Sequence, residues 1–123
     1  VLAARSEDKL NQVRDRCTKS GADVLVVPTD LSDPEQAKSL AQKALDYFGQ
    51  IDVLVNNAGY GQMGPIELVP IDLVKRQFQV NIFGTIALTQ AVIPAMRDRG
   101  GGKIINISSL GGRIAFPVAG LYS

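Results

Sequence analysis

The sequence contains no histidine and no tryptophan, and it has a single cysteine, Cys17. The absence of histidine excludes a hydrolase that works through a Ser-His-Asp or Cys-His arrangement, and it excludes a zinc site built on imidazole. One cysteine cannot form a disulfide within the chain, so the cysteine content either fits a reducing compartment or gives no information about the compartment. We therefore expect a cytoplasmic protein without a metal site.

The sequence also has almost no excess of positive over negative charge. Thirteen lysine and arginine residues are balanced by twelve aspartate and glutamate residues, and the net charge of +1 is not gathered into blocks. A nucleic-acid or membrane-surface protein usually has a basic stripe, and no apolar run approaches the roughly 18 residues of a membrane span. We expect no nucleic-acid partner and no membrane span. The 46% of hydrophobic and 20% of charged residues predict one globular domain.

Both ends of the sequence have the character of cut ends. The chain opens on an apolar run at residues 1–4 without an initiator methionine, and it closes on Leu121, Tyr122 and Ser123. A complete domain more often begins and ends in polar, mobile residues. We expect residues 1–123 to be part of a longer domain.

Strand and helix patterns alternate along the sequence. Continuous apolar, β-branched runs predict strands at residues 1–4, 23–27, 53–55 and 103–107. Helical spacing predicts three helices between them, which begin after Ser6, at Asp33–Pro34 and near Asp72 and which end at Gly21, Gly49 and Gly100. This order predicts a doubly wound parallel α/β sheet with helices on both faces.

The second and third predicted helices contain residues that predict their local structure. Asp33, Pro34 and Gln36 have the pattern of an N-cap, a first-turn proline and a capping-box partner. The long third helix has a predicted apolar face, and Gly84 predicts a local irregularity within it. The residues of that face are Phe78, Ile82, Leu88, Val92 and Met96.

Polar residues follow each predicted strand. They are Arg5, Asp30, Asn56, Asn57, Ser108 and Ser109. The carboxyl ends of parallel strands lie at one edge of the sheet, where ligands of open α/β folds bind. Helix capping alone explains Ser6 and Asp33, but the two amides, the alanine and the glycine at 56–59 suit a close approach of backbone to a flat ligand.

The sequence resembles the short-chain dehydrogenase/reductase family through four motifs in the family's order. Asn-Asn-Ala-Gly follows a strand at 56–59, Val80-Asn81 lies in the long helix, and Ile-Asn-Ile-Ser-Ser stands at 105–109. Tyr122 follows Ser109 by thirteen positions, which matches the family's serine-to-tyrosine spacing. The resemblance covers essentially the whole chain and implies a partial Rossmann-like, NAD(P)-binding domain over residues 1–123.

The resemblance implies the catalytic roles of three residues. Ser109 would hydrogen-bond the substrate oxygen, Tyr122 would act as general acid/base, and Asn81 would help to hold a water molecule of the proton relay. The implied reaction transfers a hydride between the nicotinamide and a carbonyl or secondary alcohol. A free tyrosine has a pKa of about 10, so it needs a neighbouring cation to work near neutral pH. The family supplies a lysine four residues after the tyrosine.

The resemblance also implies the cofactor site. Asn57, Ala58 and Gly59 would line the cofactor together with Tyr122, and Asp30 and Leu31 match the position beside the adenine, whereas Asn56 would be structural. Members that prefer NAD usually have an acidic residue after the strand that corresponds to residues 1–4. This sequence has Arg5 there, and a guanidinium can pair with a 2′-phosphate. We therefore predict NADP(H), with NAD less favoured and Arg5 as the phosphate contact.

Two parts of the family pattern are missing from these residues. The glycine-rich loop and first strand would precede Val1, and the lysine would follow Ser123. In the strand order 3-2-1-4-5-6 the first strand is central, so the sheet should have a gap there with exposed edges on both sides. We expect the 123 residues alone to fold poorly and to be inactive.

Other interpretations remain open at this point. The same fold could serve an inert cofactor-binding or scaffold protein, and a lysine at position 126 would favour the enzyme instead. A flavodoxin-like signalling domain would need an acidic cluster that the sequence lacks. The segments 60–65 and 114–118 should flank the pocket, and their apolar residues suggest a small hydrophobic carbonyl or alcohol substrate. Members of the family commonly form dimers or tetramers, so the resemblance implies a homo-dimer or homo-tetramer.

Overall fold

The computed structural model describes all residues, 1–123, and its strands and helices alternate as predicted. The strands are β1 (Leu2–Ala4), β2 (Val26–Pro28), β3 (Val53–Asn56) and β4 (Lys103–Asn106). The helices are α1 (Glu7–Lys19), α2 (Pro34–Phe48), α3 (Ile71–Phe78) and α4 (Thr85–Asp98), with a π-helical turn at Gln79–Gly84 and a 3₁₀ turn at Leu110–Gly112. β2 begins later than predicted because the short β1 is its only partner.

The four strands form two separate parallel pairs. In one pair Leu2 lies opposite Val26, and in the other Val53 lies opposite Lys103. No ladder joins β1 to β3. A groove of about 760 Å³ separates the two pairs, and most of its lining residues are apolar. The gap predicted from the strand order is confirmed, and it leaves one edge each of β1 and β3 without a partner.

The start of α2 shows how local sequence fixes the loop after β2. The Asp33 side chain accepts a hydrogen bond from the backbone N–H of Glu35 at 3.0 Å, and Pro34 occupies the first turn. The predicted capping box is incomplete, because the Gln36 Oε1 accepts from the backbone N–H of Asp30 rather than from that of Asp33. This bond ties the helix to the strand end that carries Asp30.

The buried core lies between α2, α4 and the strands. Its members are Val27, Ala37, Leu40, Ala41, Leu88, Val92 and Met96. The predicted apolar face of the long helix is only partly buried, since Phe78 and Ile82 are 45% and 46% exposed. The π turn contains one more residue than an α-helical turn would, so it shifts the buried face of the helix on either side of it. Gln77 and Gly84 are buried instead.

Gly84 stands where the π turn meets the loop after β2. A Cβ built on Gly84 would lie 2.2 Å from the backbone oxygen of Leu31 and 2.9 Å from the Leu31 Cβ. No side chain fits at that distance, because backbone cannot move aside as the end of a flexible side chain can. The irregularity predicted at Gly84 is thus a close contact that sets the position of Leu31.

Gly84→Ala is expected to destabilise the longer protein predicted from the sequence by about 3 kcal/mol, the upper end for overpacking in a core. Chemical denaturation measures the loss. Gly120→Ala is the control, because a Cβ at Gly120 meets nothing within 4 Å. Equal stability of the two variants would show that Gly84 and Leu31 are not in this contact.

The continuous helix from Ile71 to Asp98 has 28 residues and is apolar enough, by length and composition, to cross a membrane. The core helix of a soluble protein meets the same criterion. This helix packs against α2 and buries Leu88, Val92 and Met96. The length and composition of this helix are therefore weak support for a membrane span, and the absence of a span stays a prediction.

The 123 residues by themselves are expected to lack a cooperative thermal unfolding transition. Two strand edges are open, and large apolar residues on the strands are about half exposed, including Val53, Val55 and Ile105. Calorimetry on the isolated chain, with the longer protein as control, checks this. A single sharp transition of the isolated chain, with an enthalpy typical of its size, would contradict it.

Candidate active site

Residues from both strand pairs meet in a small pocket of about 140 Å³. One wall is formed by the residues after β1 and β2, including Arg5, Asp30 and Leu31. The opposite wall is formed by Ala58 and Gly59, which follow β3. Five of the predicted cofactor-binding residues are therefore neighbours, although they are far apart in the sequence. The two small residues leave one wall as bare backbone that a flat ligand can approach closely.

Asp30 carries a negative charge in this pocket. Its Oδ1 accepts hydrogen bonds from the Ser32 backbone N–H at 2.9 Å and from the Ser32 hydroxyl at 2.8 Å. These bonds lower the pKa of the Asp30 carboxyl, and the positive charges of Arg5 and Arg76 lower it further. Because the folded-state pKa is the lower one, the stabilising contribution is present at neutral pH and is lost as the pH falls through that folded-state pKa.

Asn57 lines the larger groove, and Ala58 lines both the groove and the small pocket. The two cavities thus adjoin at Ala58, which follows β3. Asn56 is buried, and its Nδ2 donates to the Thr89 hydroxyl at 3.1 Å and to the Asn106 Oδ1 at 2.8 Å. Its side chain joins β3 to α4 and β4, as expected for a structural residue.

Asn81 lies in the π turn and holds the loop after β3. Its Oδ1 accepts from the Tyr60 backbone N–H at 3.1 Å, and its Nδ2 donates to the Tyr60 backbone oxygen at 2.8 Å. A Cβ on Gly59 would lie only 3.3 Å from that Oδ1. The Asn81 side chain therefore positions the backbone at 59–60, next to the small pocket. π turns are frequent at functional sites, and this one carries the residue that holds the loop.

Ser109 and Tyr122 are brought together at the 3₁₀ turn. The Ser109 Oγ accepts from the Gly111 backbone N–H at 3.1 Å. A Cβ on Gly111 would lie 3.5 Å from the Ser109 Oγ and 3.0 Å from the Tyr122 Cε1, so the hydroxyl and the ring flank the same point. The ring also contacts Gly61, where a Cβ would lie 3.2 Å from the Tyr122 Cγ.

The predicted site residues form two groups joined by one loop. Arg5, Asp30 and Leu31 gather at the small pocket, whereas Ser109 and Tyr122 gather at the 3₁₀ turn. The loop at residues 59–62 connects them, because Asn81 bonds Tyr60 and the Tyr122 ring packs on Gly61. Asn81 thus contacts the loop where it borders the small pocket.

Sequence reasoning missed four residues that shape this site. Gly61 and Gly111 make room for the tyrosine ring, and Arg76 adds positive charge near Asp30. Gln77 is buried and contacts both the loop and the segment before Tyr122. None of the four left a signal in the sequence, because each acts through contacts with segments that are distant along the chain.

The family model described as short chain dehydrogenase matches residues 1–123. Among curated relatives, the chain is 36% identical over 123 residues to human dehydrogenase/reductase SDR family member 7, a match that covers 97% of the chain and 36% of the relative. It is 40% identical over 128 residues to an Anopheles gambiae family 7-like protein, covering 100% and 40%. It is 36% identical over 124 residues to the uncharacterized oxidoreductase YusZ of Bacillus subtilis, covering 99% and 44%.

Solved structures agree with the sequence relatives. A metagenomic short-chain oxidoreductase in complex with NADP superimposes with a TM-score of 0.92 at 34% identity, over 98% of the chain and 55% of that structure. A 7α-hydroxysteroid dehydrogenase complexed with NADH and 7-oxo glycochenodeoxycholic acid superimposes with a TM-score of 0.93 at 29% identity, over 98% and 47%.

The chain therefore has part of a doubly wound Rossmann-like α/β fold. It belongs to the short-chain dehydrogenase family. It spans about two-fifths of the length of the three curated relatives named above.

Proposed function

We propose that the full-length protein containing this chain is an NADP(H)-dependent oxidoreductase that interconverts a carbonyl and a secondary alcohol. The observation that carries the proposal is the convergence of the Ser109 hydroxyl and the Tyr122 ring on one point beside Gly111. The loop at 59–62 connects this point to the small pocket at the strand ends. A cofactor placed along the loop would have its adenosine end and its reactive end at the two groups.

The lining of the small pocket supports the proposal that it receives the adenosine end of NADP(H). Ala58 and Gly59 leave room for a ring against backbone, and Arg5 places a guanidinium at the pocket wall. A guanidinium pairs with phosphate in a bidentate way, and no carboxylate stands at the end of β1 to repel it. Structural neighbours of the chain include complexes with NADP, with NADH and with NAD⁺, so the preference for NADP(H) rests on Arg5.

Each residue of the proposed catalytic group has a separate task. The bound cofactor supplies or accepts the hydride. Tyr122 donates a proton to the substrate oxygen in reduction and accepts it in oxidation, as a general acid/base. The Ser109 hydroxyl stabilises the negative charge that develops on that oxygen. Asn81 holds the loop backbone at Tyr60 between the two groups.

The substrate side of the site is apolar. The Gly64 backbone N–H donates to the Val118 backbone oxygen at 2.8 Å, so segments 60–65 and 114–118 lie together. Exposed apolar side chains line these segments, among them Met63, Ile114, Phe116 and Val118. We propose a small hydrophobic carbonyl or alcohol as substrate, since an exposed apolar surface beside a polar reactive centre suits such a ligand.

The location and assembly of the protein are proposals as well. Phe78, Ile82, Phe83 and Ile86 are each about half exposed on the long helix. An apolar helix surface of this kind suits contact with a second copy, and we propose a homo-dimer or homo-tetramer. We also propose a cytoplasmic location, consistent with the lone Cys17.

One observation favours a second candidate, an inert cofactor-binding or scaffold protein. Both Asn81 and Ser109 make hydrogen bonds within the chain, to Tyr60 and to Gly111, and these bonds alone could account for their presence. Such a protein would bind NADPH without turning over any carbonyl.

Turnover measured with the full-length protein separates the two candidates. The test combines NADPH binding by fluorescence with NADPH oxidation over a panel of hydrophobic ketones and aldehydes. Binding with turnover supports the enzyme, and binding without turnover of any panel member supports the scaffold. Absence of binding to both NADPH and NADH would contradict both.

A further inference from the structure

Gln77 is a buried polar residue that the proposed chemistry does not use. Its side chain lies on α3 and the residue is only 3% exposed. The Gln77 Oε1 accepts from the Gln62 backbone N–H at 2.5 Å, and the Gln77 Nε2 donates to the Leu121 backbone oxygen at 2.6 Å. The two ends of one amide thus bind the main chain of two segments that lie 59 residues apart in the sequence.

The two segments meet at Tyr122. Leu121 immediately precedes Tyr122, and Gly61, next to Gln62, packs on the Tyr122 ring. The Gly64 backbone N–H bonds the Val118 oxygen, and Val118 is held at a φ of 57°, a conformation that a β-branched residue rarely adopts. A strained backbone of this kind persists only where its surroundings fix it.

The hydrogen bonds of Gln77 serve two loop segments and not the helix that carries the residue. A buried amide is costly unless it is hydrogen-bonded, and an apolar side chain of similar size would fill the same space without that requirement. Neither bond of Gln77 supports its own helix. Both bonds fix the backbone on the two sides of the tyrosine ring, where small displacements affect a reaction strongly.

We propose that Gln77 is the positioning residue for Tyr122, holding loop 60–64 and segment 118–122 together so that the phenol is aimed at the substrate oxygen. The catalytic part of this inference rests on the proposed oxidoreductase function. The link that Gln77 makes between the two segments does not depend on that function, so the link and the proposed function can be refuted separately.

The experiment uses the full-length protein and two substitutions at Gln77. Gln77→Met keeps the size and removes both hydrogen bonds. Gln77→Glu keeps an acceptor for Gln62 but, when ionised, has no donor for Leu121. Gln42→Met is the control, because Gln42 is an exposed residue of α2 that bonds only Asp46 on the same helix.

The first measurement is hydrogen exchange, which does not depend on activity. In Gln77→Met the amides of residues 60–64 and 118–123 should exchange faster together, while α2 and the control variant stay unchanged. In Gln77→Glu segment 118–123 should loosen more than loop 60–64. Unchanged exchange of both segments in both variants would overturn the proposal, whether or not the protein is an oxidoreductase.

The second measurement is kcat per NADPH-binding site over a range of pH. Both variants should lose about 10- to 100-fold in kcat and show a shifted pH profile, with the affinity for NADPH retained. Counting binding sites removes any loss that is due to misfolding. Faster exchange with unchanged kcat and pH profile would overturn the positioning role. If the wild-type protein showed no turnover, the proposed function would be wrong. The hydrogen-exchange result would still show whether Gln77 holds the two segments together.

Discussion

Tyr122→Phe in the full-length protein is expected to lower kcat by a factor of about 10² to 10⁴, the usual contribution of a general acid/base. Phenylalanine keeps the ring that packs against Gly61 and Gly111 but removes the hydroxyl. The structure around Ser109 and the affinity for NADPH should therefore stay as they are. Steady-state kinetics and NADPH titration measure the two quantities separately.

Tyr47→Phe is the matched control for that substitution. The Tyr47 hydroxyl bonds Asp23 at 3.1 Å on the exposed surface, and the Asp23 carboxylate raises the pKa of Tyr47. Tyr47 lies on α2, away from the 3₁₀ turn, so its loss should leave kcat unchanged. If Tyr122→Phe retained kcat within a few-fold of the control, the phenol would not be the proton donor.

Arg5→Asp should reverse the preference between NADPH and NADH. Charged hydrogen bonds of this kind contribute about 1.5–3 kcal/mol, so losing the pair should weaken NADPH binding roughly 10- to 100-fold. The new carboxylate would also stand near Asp30 and repel a 2′-phosphate. NADH lacks that phosphate, so its affinity should change little or rise. Titration of both cofactors gives the ratio.

Arg99→Asp controls for the change in net charge. Arg99 is an exposed residue at the end of α4, near the start of β4 and thus at the opposite edge from the strand ends that form the pocket. The control should leave the NADPH-to-NADH ratio as in the wild type. An unchanged ratio in Arg5→Asp would show that Arg5 does not contact the 2′-phosphate, and the cofactor preference would then have no support from this residue.

The order of elements and the gap in the sheet could be predicted from the sequence because they depend on local patterns. Apolar runs, helix starts such as Asp33–Pro34 and the alternation of strand and helix are all read within short windows. The strand order then leaves a space between β1 and β3, and the structure has its groove there.

The interior of the long helix could not be predicted in the same way. A regular helical period assigns Phe78 and Ile82 to the core, but the π turn changes the period between them. The turn follows from tertiary contacts, since Gly84 must approach the backbone of Leu31 and Asn81 must reach Tyr60. No local window contains these partners.

The candidate site likewise has a part that local sequence patterns predict and a part that they do not. Residues at strand ends, such as Arg5 and Asp30, could be placed near each other because parallel strands end at a common edge. Gln77 and the glycines around Tyr122 act through contacts between distant loops, and only the folded chain reveals them.

A crystal structure of the full-length protein with NADP⁺ tests the central claim most directly. The 2′-phosphate should lie against Arg5, the adenine beside Asp30 and Leu31, and the nicotinamide end within reach of Tyr122. Density for the cofactor on another face of the molecule, or a 2′-phosphate far from Arg5 with the nicotinamide remote from Tyr122, would contradict the account.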